Sequence, residues 1–331
     1  MARLILLLIG LLLAGCTTSA QAPPEQETTP EARQATITAV QLPKGSFPRL
    51  PFVAPDGIVW CSESSGESIA RIDKNGAITH LRIPGSSNSP AGIVRGPDGL
   101  IWFAGFQLIG KISAEGTLSG WRTGRGVNLG LPNAITTGPD NAVWYTNEKV
   151  PPAISRISTS GALRHTTVQT DDKLAKLPGI TTGPDQALWF TLSSNAKGAK
   201  HSIGRMPTDG NPAKLWPLPG EASPGRIVTG PDSALWFTMA RGIGRMTVDG
   251  NFTEYAVPDD ARPSDLAASP DSALWFTTDQ ARIGRITTSG QVTLHAVDGA
   301  QQLTGIAAAP DSTLWIADGK ADTVWHYSPA G

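Results

Sequence analysis

Short apolar runs of four to seven residues alternate with tight polar turns along nearly the whole chain. Residues 227–258 show the pattern: IVTG, ALWFT, IGRMT and FTEYAVP are separated by Pro231-Asp232, by a short polar break and by Asp249-Gly250. Runs of this length, bounded by turn residues and rich in β-branched and aromatic side chains, predict strands. No stretch keeps apolar residues at helical spacing for more than about a turn. The set of four then recurs. Pro-Asp stands at 55, 97, 139, 184, 231, 270 and 310, and four residues after each Asp comes a Trp: 60, 102, 144, 189, 236, 275 and 315. The spacings are 42, 42, 45, 47, 39 and 40. A period near forty with four strand signals per unit predicts an all-β fold, a seven-bladed β-propeller of four-stranded blades.

The turns agree with this reading. The Asp of each Pro-Asp sits between strands A and B, placed to accept a bond from the backbone two residues on. Asn75-Gly76, Ser160-Gly161, Asp209-Gly210, Asp249-Gly250 and Ser289-Gly290 punctuate strands C and D as hairpin dipeptides. The last unit runs through strand C and then into SPAG without a fourth strand. Residues 37–43 (ITAVQLP) align with 252–258 (FTEYAVP) without a gap, so an N-terminal strand is expected to complete blade 7 and close the ring. Closure removes the two open edges that an unclosed array would expose. Cys61 follows its Trp where other units carry Phe103, Tyr145, Phe190, Phe237, Phe276 and Ile316, which predicts a buried apolar stand-in.

Composition adds location. Arg3 precedes an apolar run from Leu4 to Leu13, too short to span a membrane and right for a signal peptide. It ends in Leu13-Ala14-Gly15-Cys16, which resembles the lipobox of bacterial lipoproteins. The division expected is a signal peptide over 1–15, a lipid-anchored tether over 16–36 that is rich in Pro, Gln, Glu and Thr, and the propeller over 37–331. Lipid on Cys16 would be the membrane contact. Thr17 rather than an acidic residue at the next position points to an outer membrane, with the propeller facing the periplasm. The net charge of −1 gives no basic patch for nucleic acid, and a monomer is expected.

GPDSALWFT…GIGRMTVDGNFTEY is similar to the repeat of the virginiamycin B lyase (streptogramin lyase) family, and the similarity covers residues 37–331. The resemblance implies a seven-bladed propeller and, for the family's enzymes, magnesium-assisted eliminative opening of cyclic depsipeptide antibiotics. Those enzymes place histidines in a P-x-[small]-I pattern of late blades, and a metal-binding glutamate after strand B of the last blade. Ser264 and Thr304 occupy the histidine places here, and Asp318 stands one residue from the glutamate place. Neither hydroxyl is a base at neutral pH. No catalytic residue, resident metal or cofactor is therefore expected, with magnesium entering only if the lyase alternative holds.

Candidate binding residues come from the irregularities of the repeat, because a scaffold needs a residue seven times and a site needs it once. At the start of strand A the variable position reads Arg49, Ala91, Asn133, Pro178, Gly225, Ser264 and Thr304. The next position is small in most blades but is Arg226 in blade 5 and Asp265 in blade 6, two opposite charges expected to face each other at the channel mouth. The B–C and D–A connections of blades 3 and 4 are long and carry Lys149, Lys173, Lys176, Lys197, Lys200 and His201. Variable loops on a rigid scaffold are where binding usually resides. Arg49, Asn133, His201, Arg226, Ser264, Asp265, Thr304 and Asp318 are the candidates, for an extracytoplasmic ligand or protein partner.

Overall fold

The computed structural model describes residues 34–330 except 66, 84–89, 106, 114, 123–131, 149, 195, 197, 199 and 222. The segment expected to be a signal peptide, Cys16, most of the expected tether, Lys149 and Lys197 lie outside the described residues. The strands form seven four-stranded antiparallel sheets, and the single helical element among the described residues is a 3-10 turn at Pro258–Asp260. Blade 5 is representative, with strand A at Pro224–Thr229, B at Leu235–Met239, C at Gly242–Met246 and D at Phe252–Ala256. In blade 7, strands A to C are Leu303–Ala308, Leu314–Asp318 and Thr323–Ser328. Its outer strand is Thr36–Gln41, paired in unbroken register from Thr36↔Ser328 to Gln41↔Thr323. The ring closes as the alignment predicts, beginning one residue earlier than expected.

One side-chain arrangement explains why blades 2 to 6 carry Asp, Trp and a strand C cation. Asp232 accepts from the Ala234 amide at 3.4 Å, the Trp236 indole N–H at 2.8 Å and the Arg245 guanidinium at 2.7 Å. The same indole-to-carboxylate bond recurs in blades 2, 3, 4 and 6. The same cation pairing recurs through Lys111, Arg156, Arg205 and Arg285. In all seven A–B turns the residue after Asp is left-handed, with φ between 55° and 78°, and only blades 1 and 2 use Gly there.

In blades 2, 4, 5 and 6 the Phe after the Trp has a matching glycine across the blade. Phe237 pairs with Gly244, and a Cβ on that glycine would lie 2.2 Å from the ring. In blade 1 the small pair Cys61↔Ala70 fills the same place. Cys61 is fully buried, and burial pushes its thiol pKa far up, so it behaves as an apolar filler. The core is distributed between blades. Trp236 of blade 5 packs in one cluster with Leu266, Leu274 and Phe276 of blade 6, so each blade supplies the face on which its neighbour is buried.

Candidate functional site

Strand A of each blade lines the central channel, and its small residues face the next blade closely. A Cβ on Gly305 would lie 2.1 Å from the Arg49 carbonyl, and one on Gly179 would lie 2.8 Å from the Gly225 carbonyl. Arg226 and Asp265 replace small residues at this crowded position. They line a cavity of about 240 Å³ whose remaining wall is largely apolar or backbone, including Leu50, Ile93, Ala134 and Ile180. The two charges do not form a direct ion pair within 4 Å among the described residues. Asp265 accepts the Ile306 amide of blade 7 at 3.0 Å, while Arg226 reaches back toward the Pro178 carbonyl of blade 4 at 3.4 Å. Burial pushes the Asp265 carboxyl up, partly offset by the Arg226 charge and by backbone amides. Burial likewise lowers Arg226, with Asp265 opposing and Arg49 adding to that shift. The channel thus holds a half-buried guanidinium with one long bond, beside a carboxylate engaged by backbone.

The remaining candidates divide by what they touch. Arg49 and Ser264 are exposed. The Asn133 amide donates to Glu148 at 3.1 Å. The Thr304 hydroxyl donates to the Pro48 carbonyl at 2.8 Å and so ties blade 7 to blade 1. His201 is folded inward, away from the open loop position expected of it. Its Nδ1 accepts the Ser194 amide at 3.2 Å, which leaves Nε2 as the protonated nitrogen, donating to the Glu221 carbonyl at 3.1 Å. Both ring nitrogens are engaged in holding the blade 4 loop. Asp172, from the long connection before blade 4, accepts the Leu174 amide at 2.9 Å and the Ser194 hydroxyl, joining the two long loops of that blade.

Asp318 is fully buried at the end of strand B in blade 7. One carboxylate oxygen accepts the Gln301 amide at 2.7 Å, and the other accepts the amides of Gln302, Lys320 and Ala321 at 2.9, 3.2 and 3.1 Å. It clamps the D–A and B–C connections of blade 7. A magnesium ion needs several oxygens free to turn toward it. The Asp318 oxygens instead face four backbone N–H donors and, at 3.5 Å, the Trp325 indole N–H, whose positive ends would repel a cation, so the residues present do not fit the ion there. Among the described residues no three His, Cys, Asp or Glu side chains converge as a metal-holding group. The structure brings Arg226 and Asp265 together in the channel, but leaves His201 in the blade 4 loop and Asp318 in the blade 7 clamp.

Comparison with known proteins places this geometry. Residues 29–127 and 126–331 match the model of the virginiamycin B lyase family. A curated virginiamycin B lyase from Nocardia farcinica is 30% identical over 138 residues, which is 41% of this chain and 46% of that protein. The matched stretch therefore spans about half the length of that relative. A streptogramin B lyase structure superposes with a TM-score of 0.81 at 28% identity, covering 91% of this chain and 100% of the other. A catalytically inactive virginiamycin B lyase from Staphylococcus aureus, solved with quinupristin, gives 0.79 at 27% identity, covering 89% and 99%. With both halves of the ring matched and the seven-bladed fold in place, the chain belongs to the virginiamycin B lyase family.

Proposed function

We propose that this protein is an exported, lipid-anchored binding propeller that lacks the streptogramin lyase chemistry. It takes a peptide, glycan or protein partner on the face built from the variable loops and the channel mouth. The observation that carries the reading is the state of Asp318, the nearest carboxylate to the place of the family's metal ligand. Its oxygens are held by four backbone amides, and Ser264 and Thr304 offer hydroxyls where the family's enzymes have bases. Proton abstraction next to a carbonyl needs a base within hydrogen-bond reach, and a lone hydroxyl at neutral pH is not one. The Arg226 guanidinium supplies a polar anchor in the channel instead. Export and anchoring rest on the Leu-Ala-Gly-Cys motif ending at Cys16, with Thr17 favouring the outer membrane and a periplasmic location.

A second reading, a magnesium-dependent lyase with a rebuilt site, draws on the 28% identity to a streptogramin B lyase structure across 91% of this chain. One assay separates the two. Purified residues 17–331, incubated with a streptogramin B-type depsipeptide and magnesium at neutral pH, should leave the ring intact by mass spectrometry. Magnesium-dependent ring opening by the unmodified protein would overturn the first reading in favour of the second.

A further inference from the structure

Strand A brings one residue of every blade to the same height in the channel, directly after the variable position. It is Gly92, Ala134, Gly179 and Gly305 in blades 2, 3, 4 and 7, and Leu50 in blade 1. A side chain at this place is aimed at strand A of the following blade. A Cβ on Gly92, for example, would lie 2.9 Å from Ile135 and 3.1 Å from the Asn133 carbonyl. Asp265 of blade 6 follows that direction, and its Oδ2 accepts the Ile306 amide of blade 7 at 3.0 Å. Arg226 of blade 5 does not. Its Nη1 reaches back to blade 4, donating to the Pro178 carbonyl at 3.4 Å. The two charged side chains thus lean apart, toward different blades, and this is why they do not pair.

The guanidinium is left with most of its hydrogen-bonding capacity unused. Arginine carries five N–H donors in a planar fork, and among the described residues the Arg226 side chain makes only that one long bond. The cavity it lines holds about 240 Å³, and Ile93, Ile135, Ile180 and Ile227 are among its other walls. Ile180 and Ile227 are themselves buried. A charged group in such surroundings is unfavourable unless an opposite charge and hydrogen bonds meet it. The exposed Arg49 of blade 1 also stands close enough for its charge to act on Arg226. Two cations therefore face one carboxylate, and that carboxylate is engaged by backbone on the side of blade 7.

We propose that the channel takes a carboxylate on the Arg226 guanidinium, carried by a short aliphatic acid or by the C-terminal end of a peptide. The proposal rests on the reading of this protein as a binding propeller and gives the channel mouth its ligand chemistry. The guanidinium fork matches the two oxygens of a carboxylate, and such paired bonds are about twice as strong as neutral ones. Size narrows the choice. Ordinary ligand pockets begin at about 300 Å³, so a cavity of about 240 Å³ is too small for an oligosaccharide. It suits a terminal group of a few heavy atoms, with the isoleucine walls covering the carbon chain behind the carboxylate.

Butyrate, trialanine and trialanine amide are the probes, titrated at neutral pH in low-salt buffer by calorimetry and NMR. Butyrate or trialanine should show saturable, millimolar binding. Arg226→Ala, which copies Ala134 of blade 3, should weaken it at least about tenfold. Asp265→Asn keeps an oxygen for the Ile306 amide but removes the competing negative charge, so it should tighten binding. Trialanine binding without its amide assigns the carboxylate to a peptide end, and butyrate binding alone assigns it to a small acid; either supports the site. Absence of saturable binding by both butyrate and trialanine overturns the proposal. So does a folded Arg226→Ala variant that binds as well as wild type, an Asp265→Asn variant that binds less well, or an amide that binds as well as the free peptide. Depsipeptide ring opening would overturn the binding-propeller reading without altering these titrations, so the two can fail separately.

Discussion

Replacing Asp318 by alanine tests whether this carboxylate is a clamp or a free group. The side chain accepts four backbone amides, from Gln301 and Gln302 on one connection and Lys320 and Ala321 on the other. A hydrogen bond to a charged acceptor contributes about 1.5–3 kcal/mol when its loss leaves the donor dry. Gln301, Gln302 and Lys320 are exposed residues, so water can reach some of the freed amides, and about 1 kcal/mol each is the appropriate figure. The sum is about 4 kcal/mol, which for a domain of this size corresponds to a melting temperature lower by about 8 °C. Asp318→Asn keeps one carbonyl oxygen but turns an NH₂ toward the donors, so about half that loss is expected. Circular dichroism melts at neutral pH, supported by urea titration, read the effect. A folded Asp318→Ala variant melting within about 1 °C of wild type would refute the clamp. It would also return Asp318 to the group of residues available to a ligand.

Two further outcomes follow from particular residues. Cys16→Ser tests the proposed lipid anchor: the variant should leave the membrane fraction with its fold unchanged, because the proposal sets the anchor and its tether outside the propeller; fractionation that leaves the variant in the pellet would count against lipid on Cys16. For Asp185, Asp232 and Asp271, burial alone would raise the carboxyl pKa. Their bonds to side-chain donors, including the Arg of the same blade, outweigh it and hold each below the ordinary 3.8. A carboxyl depressed in the fold stabilises it above the unfolded value and loses that contribution as pH falls through the folded value. Melting temperature should therefore drop below about pH 4, and less steeply in Asp232→Asn; parallel acid limbs for the two proteins would contradict this.

The ring was legible because its signals are local and repeated. Pro-Asp and Trp mark every A–B hairpin, and the match of ITAVQLP to FTEYAVP placed the closing strand to within two residues at either end. The Asp was recognised as a turn-maker, but its simultaneous bonds to Trp236 and Arg245 join residues four and thirteen positions away on facing strands. A strand pattern alone does not register that geometry. His201 could not be placed from sequence, since the path of a long loop is fixed by bonds such as Ser194 to His201 and not by alternation. The packing between blades was hidden for a different reason. Trp121, Trp216 and Tyr255 align within their blades, yet the turn glycine each lies against belongs to the next repeat, about forty residues on.

The closing strand also sets the order in which the molecule can be finished. Six blades are made of strands that follow one another along the chain, so each can form as its own segment becomes available. Blade 7 joins Thr36–Gln41 to Thr323–Ser328, and the Gln41 side chain bonds to carbonyls 280 and 281 residues away. At about 5–20 residues per second of synthesis, the earliest strand waits roughly 15–60 s for its mate. A waiting strand with a continuous apolar face would invite foreign pairing. TITAVQ carries only Ile37 and Val40 as large apolar side chains, interspersed with Thr, Ala and Gln. Its modest hydrophobicity is suited to a segment that must stay soluble and unpaired until the rest of the ring has been assembled around the axis.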